Sequence, residues 1–88
     1  MALSSVLTIL FWYTIINMID VIDVFANRLK DLRTDKGLSL NQLAKDLGIV
    51  ESSLSRWERK LRAPNLESLV LLAQYFEVST DYLLGLED

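Results

Sequence analysis

The stretch GLSLNQLAKDLGIVESSLSRWE, residues 37–58, decides the fold of this 88-residue chain. It holds two short amphipathic segments separated by Gly48, and Ser39 stands where the first segment begins. A serine side chain accepts a hydrogen bond from the open end of a helix, and glycine readily adopts the left-handed backbone that follows one. The stretch therefore predicts two short helices joined by a tight turn at Gly48.

The residues before this stretch repeat the pattern of a helix. Phe25, Leu29 and Leu32 are spaced like one apolar face, with polar side chains between them. An aspartate at position 20 or 23 is well suited to cap the start of such a helix, because its carboxylate accepts from free backbone N–H groups. The pattern predicts a first helix that begins at Asp20 or Asp23.

Three further helices are predicted after Gly48. Pro64 ends the third helix, Asn65 caps the fourth and Ser79 caps the fifth. The side chains expected to face inward are Val50, Leu54, Trp57 and Leu61 on the third helix, Leu66, Leu69, Leu72, Ala73 and Phe76 on the fourth, and Leu83 and Leu84 on the fifth. No stretch after residue 23 shows the alternation of a strand. The predicted fold class is all-α, with five helices.

The N-terminal segment differs from the rest of the chain. Residues 1–23 contain 16 apolar side chains, and Ala2–Ile19 carries no charge. We therefore divide the chain into a hydrophobic N-terminal extension, residues 1–22, and a domain, residues 23–88. If the extension is a helix, it is apolar on nearly every side and must be buried against another surface. Its β-branched and aromatic residues also suit a strand.

Three roles for this extension stay open. It can contact a second copy of the chain or another protein, or it can attach the chain to a membrane. In the third interpretation it is dispensable, and Met18 is the natural start.

Composition excludes several classes of function. Cysteine and histidine are absent, which rules out disulfide bonds, a Cys/His zinc site and imidazole catalysis. No glycine-rich phosphate loop is present, so we expect neither an enzyme nor a metal, cofactor or small-molecule substrate.

The net charge is −3, but residues 56–62 are mostly basic and residues 66–88 carry only acidic charges. A local basic cluster of this kind attracts phosphates, and the same charges also suit the solvated end of a helix, so charge alone leaves both interpretations open.

Four motifs occur in order: Gly37–Gly48, Ser52–Glu58, Pro64–Leu69 and Val78–Gly85. Together they resemble the Cro/repressor-type (XRE-like) helix-turn-helix family over about residues 25–86. The resemblance implies a five-helix Cro/repressor-like helix-turn-helix domain with the apolar extension added. It further implies a cytoplasmic regulator of bacterial or phage transcription, most often a repressor that binds double-stranded DNA as a homodimer.

The third helix carries the candidate base contacts. Its apolar face is occupied by core residues, and the other face presents Glu51, Ser52, Ser55 and Arg56. A recognition helix enters the major groove with its N-terminus first, where arginine bonds guanine, serine bonds several base edges and glutamate accepts from cytosine.

Residues around this helix are assigned to the DNA backbone or to structure. The candidate phosphate contacts are Asn41, Gln42, Arg59, Lys60 and Arg62. The resemblance also implies a structural ion pair between Arg33 and Glu58.

The chain departs from the family pattern at three positions. Leu40 stands where a glutamine commonly opens the second helix, so Asn41 or Gln42 takes over its phosphate contact. Val50 replaces the usual Ser or Thr cap of the third helix. Lys60 occupies a common glycine position, where a left-handed backbone is strained for lysine, so we expect a different turn there.

A second class of function stays open beside the DNA-binding regulator. The chain can be a membrane-attached or partner-binding module, such as an antitoxin, in which the apolar extension is the working part.

Overall fold

The computed structural model describes the backbone of residues 2–88 and the side chains of residues 5–15 and 21–88. The described residues form five helices and no strand, which confirms the all-α prediction. The helices are α1 (Ala2–Asp35), α2 (Leu40–Leu47), α3 (Glu51–Glu58), α4 (Leu66–Phe76) and α5 (Thr80–Leu84).

The first helix begins far earlier than the sequence suggests. α1 runs without a break through positions 20 and 23, so the predicted cap at Asp20 or Asp23 is wrong, and the expected boundary after residue 22 falls inside a helix. No glycine or proline interrupts residues 2–35, and an aspartate inside a helix costs only about 0.7 kcal/mol relative to alanine. Asp23 instead forms an ion pair with Lys60, at 2.6 Å.

Side-chain caps begin three of the other four helices, as predicted. Ser39 accepts from the backbone N–H of Gln42, Asn65 accepts from that of Ser68, and Ser79 caps α5 in the same way. The N-cap of α3 is Val50, which provides no hydrogen bond. α3 therefore depends on packing more than on its own end.

The core lies where the predicted apolar faces meet. Its members are buried or nearly so and come from all five helices: Phe25, Leu29, Leu43, Ala44, Leu54, Trp57, Leu69, Leu72, Ala73, Phe76 and Leu83. Burial of this apolar surface is the main driving force for folding. It fixes α3 against α1 and α2.

Three residues predicted to face inward lie outside the core. Val50 precedes α3 and is exposed, and Leu61 follows the end of that helix and is also exposed. Leu66 is the first residue of α4 and is 80% exposed. The helical periodicity that placed these residues inward holds only within a helix, and all three stand at or beyond a helix end.

The N-terminal half of α1 projects from this domain. A 34-residue helix is about 51 Å long, close to the 55 Å long axis of the molecule, whose other dimensions are 25 and 21 Å. The apolar side chains from Val6 to Tyr13 are exposed. Within the part of the chain that the structure describes, no helix is both long enough and apolar enough to cross a membrane.

Candidate nucleic-acid interface

The turn between α2 and α3 sets the angle between the two helices. Gly48 has a φ of 67°, in the left-handed region, and the backbone N–H of Ile49 donates to the carbonyl of Ala44 at 3.0 Å. These features end α2 sharply at Leu47, and α3 starts at Glu51 after a connection of three residues. Leu54 and Trp57 then anchor α3 to the core, so its other face points outward.

The predicted base-contacting residues share this outward face. Glu51, Ser52 and Arg56 are exposed, whereas Ser55 is half-buried. Within the described residues, the Arg56 guanidinium forms no hydrogen bond or ion pair, so all its donors are available. The Glu51 carboxylate accepts from the side-chain amide of Asn41 at 3.1 Å. This contact joins the first turns of α2 and α3.

Asn41 and Gln42 lie at the start of α2, beside the N-terminus of α3. Gln42 accepts from the backbone N–H of Ser39 at 3.4 Å, and Ser39 in return accepts from that of Gln42 at 3.1 Å. This reciprocal pair is a capping box, a role that our sequence analysis missed for Gln42. The signal was present, because a serine followed three residues later by glutamine is its sequence form.

The predicted phosphate contacts beyond α3 have different surroundings. Arg59 is exposed, and its Nε donates to the Ser55 carbonyl at 3.4 Å. Arg62 is also exposed, whereas the Lys60 ammonium is paired with Asp23 on α1. The basic groups therefore gather at the C-terminal end of α3, where positive charge also favours the helix dipole.

Lys60 adopts the backbone that we expected the chain to avoid. Its φ is 64°, so the turn after α3 keeps the left-handed geometry of a glycine position, and the expectation of a different turn is wrong. The backbone N–H of Leu61 donates to the carbonyl of Arg56 at 2.9 Å, and that of Lys60 donates to the carbonyl of Trp57 at 3.1 Å. These two bonds close the helix end and hold Lys60 in a strained conformation.

Arg33 and Glu58 form a two-bond ion pair that connects α1 to the end of α3. Nε and Nη2 of Arg33 donate to the two carboxylate oxygens at 2.6 and 2.9 Å. The two side chains are only 13% and 7% exposed. The hydrogen bond to Glu58 raises the pKa of Arg33 above its ordinary value. A third bond, from Nη1 to the Leu38 carbonyl at 2.8 Å, fixes the α1–α2 connection.

Two other contacts that the sequence did not reveal hold the C-terminal helices. Tyr75 on α4 donates to the Asp46 carboxylate on α2 at 2.7 Å, and this bond raises the pKa of Tyr75. Arg28 on α1 stacks on the Tyr82 ring at 4.2 Å and donates to the backbone carbonyls of Tyr82 and Glu87. No sequence motif marks such pairs, because their members are 29 or more residues apart.

The described residues contain no group of three or more Asp and Glu side chains able to hold a metal ion. The arrangement is suited to binding another molecule at an exposed surface. An exposed polar helix face is flanked by basic side chains and held rigidly by a core and a partly buried ion pair.

Comparison with known proteins places this arrangement in a family. The helix-turn-helix family model HTH_3 matches residues 29–83. The chain is 42% identical over 65 residues to an uncharacterized HTH-type transcriptional regulator of Bacillus subtilis, YobD, covering 74% of this chain and 58% of that protein. It is 39% identical over 64 residues to the HTH-type transcriptional activator BcrR of Enterococcus faecalis, covering 73% of this chain and 31% of that protein. The chain thus spans less than two thirds of either curated relative.

Two solved structures of similar fold agree with the family match. A hypothetical transcription factor from Neisseria, NHTF, superposes with a TM-score of 0.67 at 28% identity, covering 73% of this chain and 74% of that one. An HTH_3 family transcriptional regulator from Vibrio cholerae gives a TM-score of 0.64 at 30% identity, covering 81% and 39%. The residues that the family model matches include α2, the turn at Gly48 and α3. The predicted resemblance is confirmed, and the chain belongs to the HTH_3 family of helix-turn-helix proteins.

Proposed function

We propose that this chain is a sequence-specific DNA-binding regulator of transcription that reads its operator with α3. The observation that carries the proposal is the exposed outer face of α3, on which the Arg56 guanidinium has no protein partner among the described residues. The names of the matched relatives, which are transcriptional regulators, support the same function.

The recognition step follows from the geometry of this face. α3 enters the major groove with its N-terminus leading, and α2 lies across the backbone. Arg56 donates two bonds to O6 and N7 of a guanine, and Ser52 and Ser55 bond neighbouring base edges. Glu51 accepts from a cytosine amino group while Asn41 orients its carboxylate. Ser55, which is half-buried, reaches the DNA only after close approach.

Backbone contacts position this helix without reading sequence. Arg59 and Arg62 are exposed beyond α3 and attract phosphates from one side, while Asn41 and Gln42 approach them from the start of α2. Lys60 contributes a positive charge that Asp23 partly neutralises. A small number of phosphate contacts gives weak binding at physiological salt, so we propose a homodimer on a near-palindromic operator.

We further propose that the regulator acts as a repressor in the bacterial cytoplasm, where its DNA target is found. Occupation of an operator is sufficient to exclude another protein from overlapping DNA. The exposed apolar half of α1 favours a second property, contact with a protein partner, which is compatible with DNA binding through α3.

Selection of duplexes from random DNA by the full chain tests the proposal. Fluorescence anisotropy then compares the enriched duplex with a shuffled duplex of the same composition. We expect the enriched duplex to bind about 1,000-fold more tightly, and its affinity to fall steeply as salt rises. Equal affinity for both duplexes at every salt concentration would contradict sequence-specific binding.

A further inference from the structure

The projecting half of α1 exposes an unusual amount of apolar surface. Among the side chains that the structure describes there, residues 5–15, seven uncharged apolar ones are more than half exposed: Val6, Leu7, Ile9, Leu10, Phe11, Trp12 and Tyr13. We call this segment, residues 5–15, the arm. Exposed apolar surface of this extent marks a place where something else binds.

One row of apolar residues runs from the arm into the domain. Its members follow an alternating spacing of four and three residues: Phe11, Ile15, Met18, Ile22, Phe25, Leu29 and Leu32. This spacing is the heptad pattern of helices that pair side by side. The C-terminal end of the row is already used, because Phe25 and Leu29 are buried in the core. The N-terminal end continues along the same helix face with no domain beside it.

The domain has an apolar groove on the same face. The groove has a volume of about 210 Å³, and α1 contributes Val21, Ile22 and Phe25 to it. The remaining lining residues, also apolar, come from the α3–α4 connection, α4 and α5: Ala63, Pro64, Leu66, Leu69 and Leu84. The arm of the same chain cannot reach this groove, because arm and groove wall belong to one unbroken helix.

We propose that the groove receives the arm of a second copy of this chain, with the two α1 helices antiparallel and crossing near Met18. Phe11 lies seven residues before this point and Phe25 seven residues after it, about 10 Å away in each direction. A twofold axis at Met18 therefore places Phe11 of each copy over Phe25 of the other, beside Leu66. Both grooves are filled by the same contact, as a closed symmetric dimer requires.

The surface available is sufficient for a stable dimer. An aromatic side chain buries about 150–250 Å², so Phe11, at 64% exposed, still offers on the order of 100 Å². A partner covers only the side of the arm that faces it, about half of these seven side chains. Each copy nevertheless contributes both an arm and a groove, so the buried area per copy is on the order of several hundred Å², close to the ~800 Å² per partner of standard interfaces. Neither the arm nor the groove lining carries a charge. Contact between these two surfaces therefore buries no charge of either one.

The spacing of the two domains also suits a DNA-binding dimer; this point rests on the proposed function. The domain packs on α1 around Leu29, which is 11 residues from Met18. Two such points, one in each copy, are about 33 Å apart along the paired helices. Half-sites one turn apart on the same face of DNA are separated by about 34 Å.

Cysteine cross-linking tests the contact directly, because the chain has no cysteine of its own. Phe11→Cys protein is mixed with Leu66→Cys protein and treated with a short bismaleimide. We expect a mixed cross-linked dimer, which requires two copies. Phe11→Cys mixed with Val50→Cys is the matched control, since Val50 is exposed at the opposite end of α3 and should not cross-link. Efficient cross-linking of Phe11→Cys to itself would indicate parallel arms and overturn the proposal.

Sedimentation of the full chain gives an independent test. We expect a dimer whose dissociation constant rises at least about 100-fold in Phe11→Glu, because two buried rings are lost per dimer. Val70→Glu, a change at an exposed apolar position on α4 outside the groove lining, should leave the dimer intact. A monomeric unmodified chain, or one that instead co-sediments with phosphatidylcholine vesicles, would overturn the arm-in-groove dimer.

Failure of the dimer and failure of DNA binding are distinguishable. If the chain is monomeric yet prefers one DNA sequence, the arm-in-groove contact is wrong and the proposed function stands. If the dimer forms but shuffled and selected duplexes bind equally, the function is wrong and the contact stands.

Discussion

Lys60 is the residue whose conformation is most at odds with its side chain. Its left-handed backbone, with a φ of 64°, costs a non-glycine residue about 1 kcal/mol or more. Lys60→Gly and Lys60→Ala both remove the ion pair with Asp23, but only glycine relieves the strain. We expect the glycine variant to be about 1 kcal/mol more stable than the alanine variant in urea unfolding. Equal stability of the two would show that the turn relaxes.

The Arg33–Glu58 pair is expected to behave as a unit. Glu58→Leu leaves the Arg33 guanidinium partly buried without its carboxylate, and we expect a loss of about 3 kcal/mol in unfolding free energy. Arg33→Met with Glu58→Leu removes both charges and should cost less than either single change. Strictly additive losses in this double-mutant cycle would mean that the pair contributes nothing by its contact.

The exposed positions of Leu61 and Leu66 show what residue patterns leave out. Both fit the apolar spacing of a helix face, yet one lies after α3 and the other at the first position of α4. The sequence did not show where α3 ends, because the residue with a left-handed backbone after this helix is Lys60 and not a glycine. In contrast, Ser39, Gly48, Asn65 and Ser79 were located from sequence alone, since each performs a local task that few residue types can perform.

α3 carries the candidate site, but among α2–α5 it is the helix whose N-terminus has no side-chain cap. Val50 already has the extended backbone of an N-cap, at φ −67° and ψ 131°, and its side chain is exposed. Val50→Ser should therefore add a hydrogen bond without loss of packing. We expect a gain of about 1 kcal/mol, which raises Tm by about 4–8 °C for a chain of this size. Val50→Ala is the control without a cap, and an equal Tm for the serine and alanine variants would contradict this account.

The true length of α1 was beyond the reach of the sequence. Residues rich in valine, isoleucine and aromatic side chains suit a strand as well as a helix, and two aspartates resemble a cap. The four C-terminal helices were predictable because caps, a turn glycine and apolar spacing agree there. In α1 these signals conflict. The absence of any glycine or proline within residues 2–35 permits a continuous helix but does not by itself distinguish it from a strand.

The whole molecule combines two parts with different tasks. The domain of α2–α5 and the C-terminal half of α1 builds a rigid support for α3, from a core that the apolar pattern largely predicted. The arm adds exposed apolar surface that this domain does not use. Which side chains read DNA depends on the operator, which no pattern in the protein sequence contains. What covers the arm could be argued only once the structure had placed an apolar groove beside Phe25.

The central claim is that α3 reads DNA sequence through Arg56. Its most direct test measures the affinities of Arg56→Ala and Arg59→Ala for the selected duplex and for duplexes with single base-pair changes. Loss of Arg56 should abolish discrimination at one base pair of each half-site, a change of about 10–100-fold. Loss of Arg59 should weaken binding to all duplexes by a similar factor and lower the salt dependence. An Arg56→Ala variant with the affinity and the sequence preference of the unmodified chain would contradict the account.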